Sequence, residues 1–185
     1  MAHCLTDIDS LPTPSRDDLG CLVTPYCHLS QATNLLLGYW EKLYQERGRL
    51  PGRSQFNPSK VRSNLRGIWL VDCLRPTSGN CRNGHPLFRC RLYAAGLVDL
   101  FGTDLTGLML HEADCGFADS ATEHDFMAIM SDKRPRFWRG AVAMTMPTSP
   151  HAVEVLMLPL AEDGNTVDML LCHALPLTRA QLESF

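Results

Sequence analysis

The sequence lacks any apolar run near the ~20 residues that a membrane-spanning helix needs. It also lacks a secretion signal after Met1, because Asp7 and Asp9 interrupt the opening segment. The net charge is only -3, which argues against a protein that coats nucleic acid through a uniformly basic surface. With 45% hydrophobic residues, the 185-residue chain is too apolar for wholesale disorder. We therefore expect a cytoplasmic protein of one compact domain.

Signatures of the common enzyme classes are missing as well. There is no GxSxG nucleophile, no HExxH zinc motif, no phosphate loop with its lysine, and no GxGxxG after a strand. The segment GTDLTG at 102–107 has two glycines but no lysine, so it is more typical of a turn and a helix start. The sequence therefore predicts no catalytic residues and a function other than catalysis.

Eight cysteines are present, but their irregular spacing predicts free thiols and not a disulfide framework. Cys73, Cys81, His85 and Cys90 are ligand types for tetrahedral zinc, yet they lack the paired CxxC spacing. We therefore predict no metal site. A thiol-redox sensor stays open as an alternative, because sequence does not show whether a thiol is exposed with a lowered pKa.

The chain divides into four predicted parts. Residues 1–29 contain three prolines and no helical or strand period, which indicates a poorly ordered segment. Residues 30–65 hold an amphipathic helix over Ser30–Arg47, stopped by Gly48, and a connector with a short second helix. Residues 66–176 form the main domain, and residues 177–185 form a short tail.

Five strands are predicted within the main domain, with a helix before the third. That helix begins with Ser120 and Glu123 in the spacing of a capping box and ends near Lys133. Because helices are grouped in the middle, an α+β fold with an antiparallel sheet is favoured over a parallel one. The predicted strands are Gly67–Leu74, Leu87–Leu92, Arg136–Met146, Ala152–Leu160 and Thr166–Leu175. The alternating pattern of the second strand predicts that Arg89 and Arg91 lie on one face, and Phe88, Cys90 and Leu92 on the other.

Short motifs in this order resemble a bacterial family of single-domain PAS proteins. The resemblance spans about Leu35 to Leu175 and implies a five-stranded antiparallel sheet with helices packed on one face, used for sensing or protein contacts. The chain departs from the family where Gly-Thr usually follows the second strand, since Ala94-Ala95 stand there. The matching motifs are Tyr39-Trp40, Gly48-Arg49-Leu50-Pro51, Asn57-Pro58, Phe88-Arg89-Cys90-Arg91-Leu92, Leu105-Thr106-Gly107 and Leu158-Pro159-Leu160.

In such a fold, a small apolar ligand would lie between the sheet and the middle helices. Methionines concentrate in these elements, and flexible thioethers suit an adaptable apolar cavity, although filling the core is the simpler interpretation. The predicted ligand-binding residues are Phe101, Phe126, Met130, Trp138, Met144, Val155, Met157, Met169 and His173.

Two histidines and one glutamate carry the alternative hypotheses. His124 lies on the helix that supplies the iron ligand in haem-carrying PAS domains, although its charged neighbours favour a solvated side chain. His173 lies among apolar residues of the last strand, where its ring is the second candidate iron ligand for a haem sensor, although a hydrogen-bonded, half-buried ring is favoured. Glu154 is the one charge in an apolar strand, and a solvated acid is the default interpretation. A small-molecule enzyme using Glu154 or His173 as base is the least favoured alternative.

Charge is divided unevenly along the chain. Arg47 to Arg91 contains ten Lys or Arg and one acid, whereas Leu92 to Asp132 contains eight acids and no Lys or Arg. This asymmetry, without aromatic interleaving, favours an oriented protein–protein contact over nucleic-acid binding. We expect a homodimer or a signalling-protein partner, with Leu36, Trp40 and Leu43 of the first helix as a candidate interface.

Overall fold

Five strands form one antiparallel sheet. The computed structural model describes residues 29–75, 85–113, 120–141 and 152–177. The strands are β1 (Ile68–Leu74), β2 (Leu87–Tyr93), β3 (Arg136–Ala141), β4 (Ala152–Leu160) and β5 (Met169–Pro176). The order across the sheet is β2–β1–β5–β4–β3, so β1 and β2 form one side, and β5 at the centre joins them to β4 and β3.

The described residues contain three α-helices, and their ends carry local stop signals. They are α1 (Gln31–Arg47), α2 (Ala95–Phe101) and α3 (Ala121–Asp132), with 3₁₀ segments at Arg53–Gln55 and Pro58–Gly67. The Ser30 hydroxyl accepts a hydrogen bond from the Thr33 amide, and Gly48 ends α1 in the left-handed region at φ 64°. Ser120 caps α3 in the same way through the Glu123 amide.

The two faces of the sheet are distinguished by the helix that each one contacts. We call the face beneath α3 the inner face, because Phe126 of α3 packs on Trp69 and Phe88 there. We call the opposite face, which carries Glu154 and contacts the first turn of α1, the outer face. All nine residues of β4 are buried, which indicates that both faces are covered along that strand.

The apolar side of α1 is buried against its own chain. Leu36 is 0% exposed and Trp40 is 1% exposed, and the Trp40 indole N–H donates to the Pro159 carbonyl at 2.9 Å. Leu43 is half-buried and packs against the same core. The prediction that Leu36 and Trp40 form an interface between chains is therefore corrected, since they could contact another chain only if α1 left the sheet. For the half-buried Leu43 it stays a prediction.

A β-bulge changes which face β2 presents at its end. Leu70 pairs with Leu92, but Val71 pairs with Cys90, so Arg91 is one extra residue in β2. The bulge reverses the expected alternation. Leu92 is therefore 42% exposed on the outer face, which corrects the prediction that it shares the face of Phe88 and Cys90.

Several sequence predictions are confirmed at residue resolution. The α+β class, the five-stranded antiparallel sheet and the preceding amphipathic helix are all present. The turn at Asp163-Gly164 is present too, with Asp163 Oδ1 accepting from the amides of Asn165 and Thr166. Residues 1–28, 142–151 and 178–185 lie outside the described part. What the sequence predicts for the first segment, for the end of β3 and for the tail therefore stays a prediction. In the described residues, no helix is both long and apolar enough to span a bilayer.

Candidate functional site

An aromatic cluster occupies the inner face. The Phe88 and Phe126 rings meet edge-on at 5.3 Å, and Trp69 lies 5.7 Å from Phe126 and 6.2 Å from Tyr93, between ring centroids. Phe88 and Phe126 are at most 1% exposed, so sheet and helix are in direct contact here. The Trp69 indole N–H is buried and has no hydrogen-bond partner among the described residues.

Four of the predicted ligand-binding residues share this side of the sheet. Phe126 is in the cluster, and the cross-strand pairs Trp138–Val155 and Met157–Cys172 place their side chains on the inner face beside Trp69. Phe101 and Met130 are half-buried and pack against the same core. Met144 lies outside the described residues.

Two predicted ligand-binding residues lie on the wrong face for that cavity. His173 pairs with Ile68 and with Leu156, and Met169 pairs with Asp72 and Leu160. All of these are outer-face positions, because side chains alternate along a strand. The prediction that Met169 and His173 line the sheet–helix cavity is therefore corrected: they are buried on the opposite side, at 7% and 2% exposure.

Glu154 lies on the outer face in a buried polar cluster at the start of α1. Its carboxylate accepts hydrogen bonds from the Ser30 hydroxyl at 2.6 Å, from the Ser30 amide, and from the Thr33 hydroxyl. Arg139 of the neighbouring strand donates to the same carboxylate at 2.9 and 2.5 Å. Glu154 is 0% exposed, so the default expectation of a solvated acid is wrong. We call these four residues the Glu154 cluster.

The cluster keeps the buried carboxylate ionised. Burial by itself raises the pKa of Glu154, but hydrogen bonds from Ser30, Thr33 and Arg139 together outweigh burial and hold the pKa below its usual value. Three donors and a guanidinium satisfy an anion that would otherwise be costly to bury. The cluster therefore joins α1 to β4 and β3.

His173 is buried close to this cluster. The Asn64 side-chain amide lies 3.3 Å from His173 Nε2 and also donates to the Ala32 carbonyl of α1 at 2.8 Å. Nδ1 of His173 is buried without a partner among the described residues. Burial lowers the pKa of His173 to about 4, against a smaller opposing effect of Glu154. The ring is therefore neutral at physiological pH and belongs to the packing beneath α1.

Three thiols lie on the inner face and are poor candidates for redox chemistry. Cys73, Cys90 and Cys172 are buried, reduced thiols. Burial raises the pKa of Cys73 and of Cys172 well above the usual thiol value. Because the thiolate is the reactive species, and a raised pKa keeps Cys73 and Cys172 protonated at neutral pH, these two thiols react slowly.

The histidines and cysteines do not form a metal centre in the described part of the chain. There, no group of three or more His, Cys, Asp or Glu side chains has an arrangement that could hold a metal ion. His124 and His85 are exposed, and Cys81 lies outside the described residues. Because His124 is exposed and His173 is on the outer face, neither ring is placed as a haem ligand on the inner face.

An apolar groove of about 400 Å³ opens on the outer face, beside the area covered by α1. Its floor is formed by β1, β2 and β5, and its wall by the two 3₁₀ segments. Two of its residues, Leu65 and Leu92, are among the exposed large hydrophobic side chains of the described chain, at 40% and 42%. The lining residues are Arg53, Phe56, Pro58, Leu65, Ile68, Leu70, Leu92, Tyr93, Ala94 and Leu171. We call this feature the outer groove.

Sequence reasoning did not identify this groove. It requires Leu92 on the same face as Leu70, and nothing in the residue pattern indicated a bulge at Arg91. One signal for the Glu154 cluster was available, because a lone acid within a continuous apolar strand has to be paired if that strand is buried on both faces.

Comparison with known families agrees with this architecture. A family model described as PAS domain matches residues 28–174. Neither a curated protein nor a solved structure matches the chain. The matched region contains every described helix and all but the end of the last strand, so this chain belongs to the PAS domain family.

Proposed function

We propose that this protein is a sensory or adaptor PAS protein that acts through contacts with other proteins and not by catalysis. The observation that carries the proposal is the outer groove, an exposed apolar surface next to a covered one. The two residues considered as catalytic bases, Glu154 and His173, support the same view. Both are buried beneath α1, where Glu154 is engaged by Ser30, Thr33 and Arg139.

A small apolar ligand on the inner face is the second part of the proposal. Trp138, Val155 and Met157 contribute apolar side chains to this face, and the Trp69 N–H, which has no partner among the described residues, offers one hydrogen bond to a polar atom of the ligand. Trp69 lies between Ile68 and Leu70, which point to the other face and line the outer groove. A ligand that moved β1 would therefore change the groove as well, provided that its affinity differs between the two arrangements.

The contact part is tested by purifying the tagged full chain from its native cells and quantifying what co-purifies by mass spectrometry. We expect one partner protein in a fixed ratio to the chain, released as salt is raised. The matched control is the same chain carrying Gly96→Val, whose added side chain would collide with the Arg66 carbonyl oxygen and should destabilise the fold while the surface residues stay the same; circular dichroism checks that it is unfolded. Equal recovery with both chains, or a chain that stays alone and turns over a small molecule, would contradict the proposal.

The ligand part is tested by native mass spectrometry of the purified chain. We expect a bound small molecule whose occupancy falls when Val155 is replaced by Trp, which fills the inner face. The control is Val98→Trp, at a half-buried position on α2. If the chain purified from its native cells carries no small molecule, the ligand proposal is rejected and the proposal of protein contacts stands.

A further inference from the structure

The shape of the outer groove results from two features of this chain. α1 lies over β4, where it contacts Glu154 and the Pro159 carbonyl, and the β1–β2 side of the same face stays open. The bulge at Arg91 then turns Leu92 into this open side, opposite Leu70. The 3₁₀ segment Pro58–Gly67 adds Leu65 as the wall. The result is an apolar groove and not a flat surface.

Three cations lie on the two 3₁₀ segments that form the wall of the groove, where the carboxylate of Glu162 is engaged by the Ser54 amide and hydroxyl. Arg53 is one of the lining residues, and its guanidinium donates to the Phe56 carbonyl at 3.2 Å without engaging an acid there. Lys60 and Arg62 are exposed on the 3₁₀ segment whose Pro58 and Leu65 line the groove. Neither of these two side chains forms an ion pair with another residue in the described ranges. We call Arg53, Lys60 and Arg62 the basic rim.

The edge of the floor adds further positive charge. Asp72 accepts hydrogen bonds from Arg89 at 2.8 Å and from Arg91 at 2.6 Å, so two cations share one buried carboxylate. Both arginines are about half exposed, at 45% and 54% of their side chains. Asp72, Arg89 and Arg91 together carry a net positive charge. They lie on the outer face, where Asp72 is two residues beyond Leu70 in β1.

We propose that the outer groove binds an acidic amphipathic segment of a partner protein. The groove receives apolar side chains, and the basic rim pairs with carboxylates that flank them. This assignment rests on the proposed function and specifies the partner's chemistry. A symmetric dimer through this face fits poorly, because a two-fold axis brings each patch against itself and would place the basic rim against a second basic rim.

Binding of synthetic peptides to the full chain tests the proposal. The probe is a fluorescein-labelled peptide of about 14 residues with leucines at i, i+3, i+4 and i+7 and glutamates between them. A second peptide keeps the leucines and replaces every glutamate by lysine. Fluorescence anisotropy should show that the acidic peptide binds, that its affinity falls steeply with salt, and that the basic peptide binds at least about tenfold more weakly.

Two matched variants locate the binding. Leu92→Glu places a negative charge on the groove floor at an already exposed position. It should lower the affinity for the acidic probe by about tenfold or more. Leu35→Glu is the control, because Leu35 is 55% exposed on α1 and does not line the groove. It should leave the affinity within about twofold of the parent chain. Circular dichroism of both variants checks that they fold.

Carbodiimide cross-linking identifies the occupant directly, because it joins carboxylates to nearby amines without a spacer. The acidic probe should link to Lys60 and not to Lys42, which is exposed on α1. Without the probe, a link from Lys60 to a carboxylate of a second copy, or to one in residues 1–28, would assign the groove to that occupant and overturn the proposal. So would tighter binding of a labelled oligonucleotide than of the acidic probe.

The remaining outcomes separate this proposal from the proposed function. Equal affinity for acidic and basic peptides, or unchanged affinity in the Leu92→Glu chain, overturns the groove assignment. If the partner recovered from native cells still binds the Leu92→Glu chain, the groove assignment fails and the proposed function stands. If no partner is recovered although the acidic probe binds, it is the proposed function that fails.

Discussion

The Ser30 hydroxyl donates a hydrogen bond of 2.6 Å to the Glu154 carboxylate, across 124 positions of the chain. Ser30 is the residue before α1, and Glu154 lies within β4. The contact therefore places a buried negative charge at the amino-terminal end of a helix, where the helix dipole favours it. It also sets where α1 begins on the sheet.

We expect Glu154→Gln to destabilise the fold. The amide keeps the shape of the side chain but removes the buried negative charge that Ser30, Thr33 and Arg139 engage, at a cost of about 2 to 4 kcal/mol in the free energy of unfolding. Urea denaturation followed by circular dichroism measures this. Glu162→Gln is the control, because that carboxylate accepts from the Ser54 amide at 2.8 Å at an exposed site. An equal loss in both variants would contradict a special role for the buried cluster.

The same cluster predicts a stability change in acid. The pKa of Glu154 is lowered in the folded state, so its contribution is fully present above the ordinary pKa of an unfolded glutamate. It is lost as the pH falls through the folded-state value. Below that pH, the unfolding free energies of Glu154→Gln and the parent chain should converge. A difference that stays constant down to pH 2 would argue against an ionised Glu154.

His173 predicts a second pH dependence, in a higher range. Because burial lowers its pKa from 6.5 to about 4, the unfolded chain binds a proton between these values that the folded chain does not. Stability contributed by the neutral ring is present above pH 6.5 and declines as the pH falls towards 4. From pH 8 to pH 5 we expect a loss of about 2 kcal/mol that is absent in His173→Gln. Replacing the exposed His124 by Gln should leave the loss unchanged.

The three inner-face thiols should be protected from alkylation. Burial raises the pKa of Cys73 and Cys172, and both thiols are shielded from solvent. Iodoacetamide should therefore label the peptides containing these residues slowly in the native chain and quickly in urea, as read by mass spectrometry. Rapid labelling of native Cys172 would contradict the packing and would revive the redox alternative for that residue.

Two glycines should respond in opposite directions to the same substitution. A Cβ at Gly96 would lie 2.4 Å from the Arg66 carbonyl oxygen, so Gly96→Ala forces the start of α2 away from the 3₁₀ segment. We expect a loss of about 1 to 3 kcal/mol. A Cβ at Gly38 in α1 meets nothing within 4 Å, and Gly38→Ala should stabilise the helix by about 1 kcal/mol. Thermal denaturation of both variants gives the comparison.

Local sequence patterns were sufficient to predict where most helices, strands and turns lie. The cap at Ser30, the stop at Gly48 and the turn at Asp163-Gly164 depend on residues within a few positions of each other, and all three are present. The same holds for Ser120 before α3. Such signals act over one or two turns of backbone, so they can be interpreted without the rest of the chain.

Which face a residue occupies, and what covers it, was decided by the tertiary structure. A single extra residue at Arg91 moved Leu92 to the outer face, and strand register moved Met169 and His173 there as well. From the sequence alone, the apolar face of α1 could pack either on its own domain or on a second copy of the chain. Contacts across more than a hundred positions decided for the domain, because only the folded sheet brings Glu154 beneath Ser30.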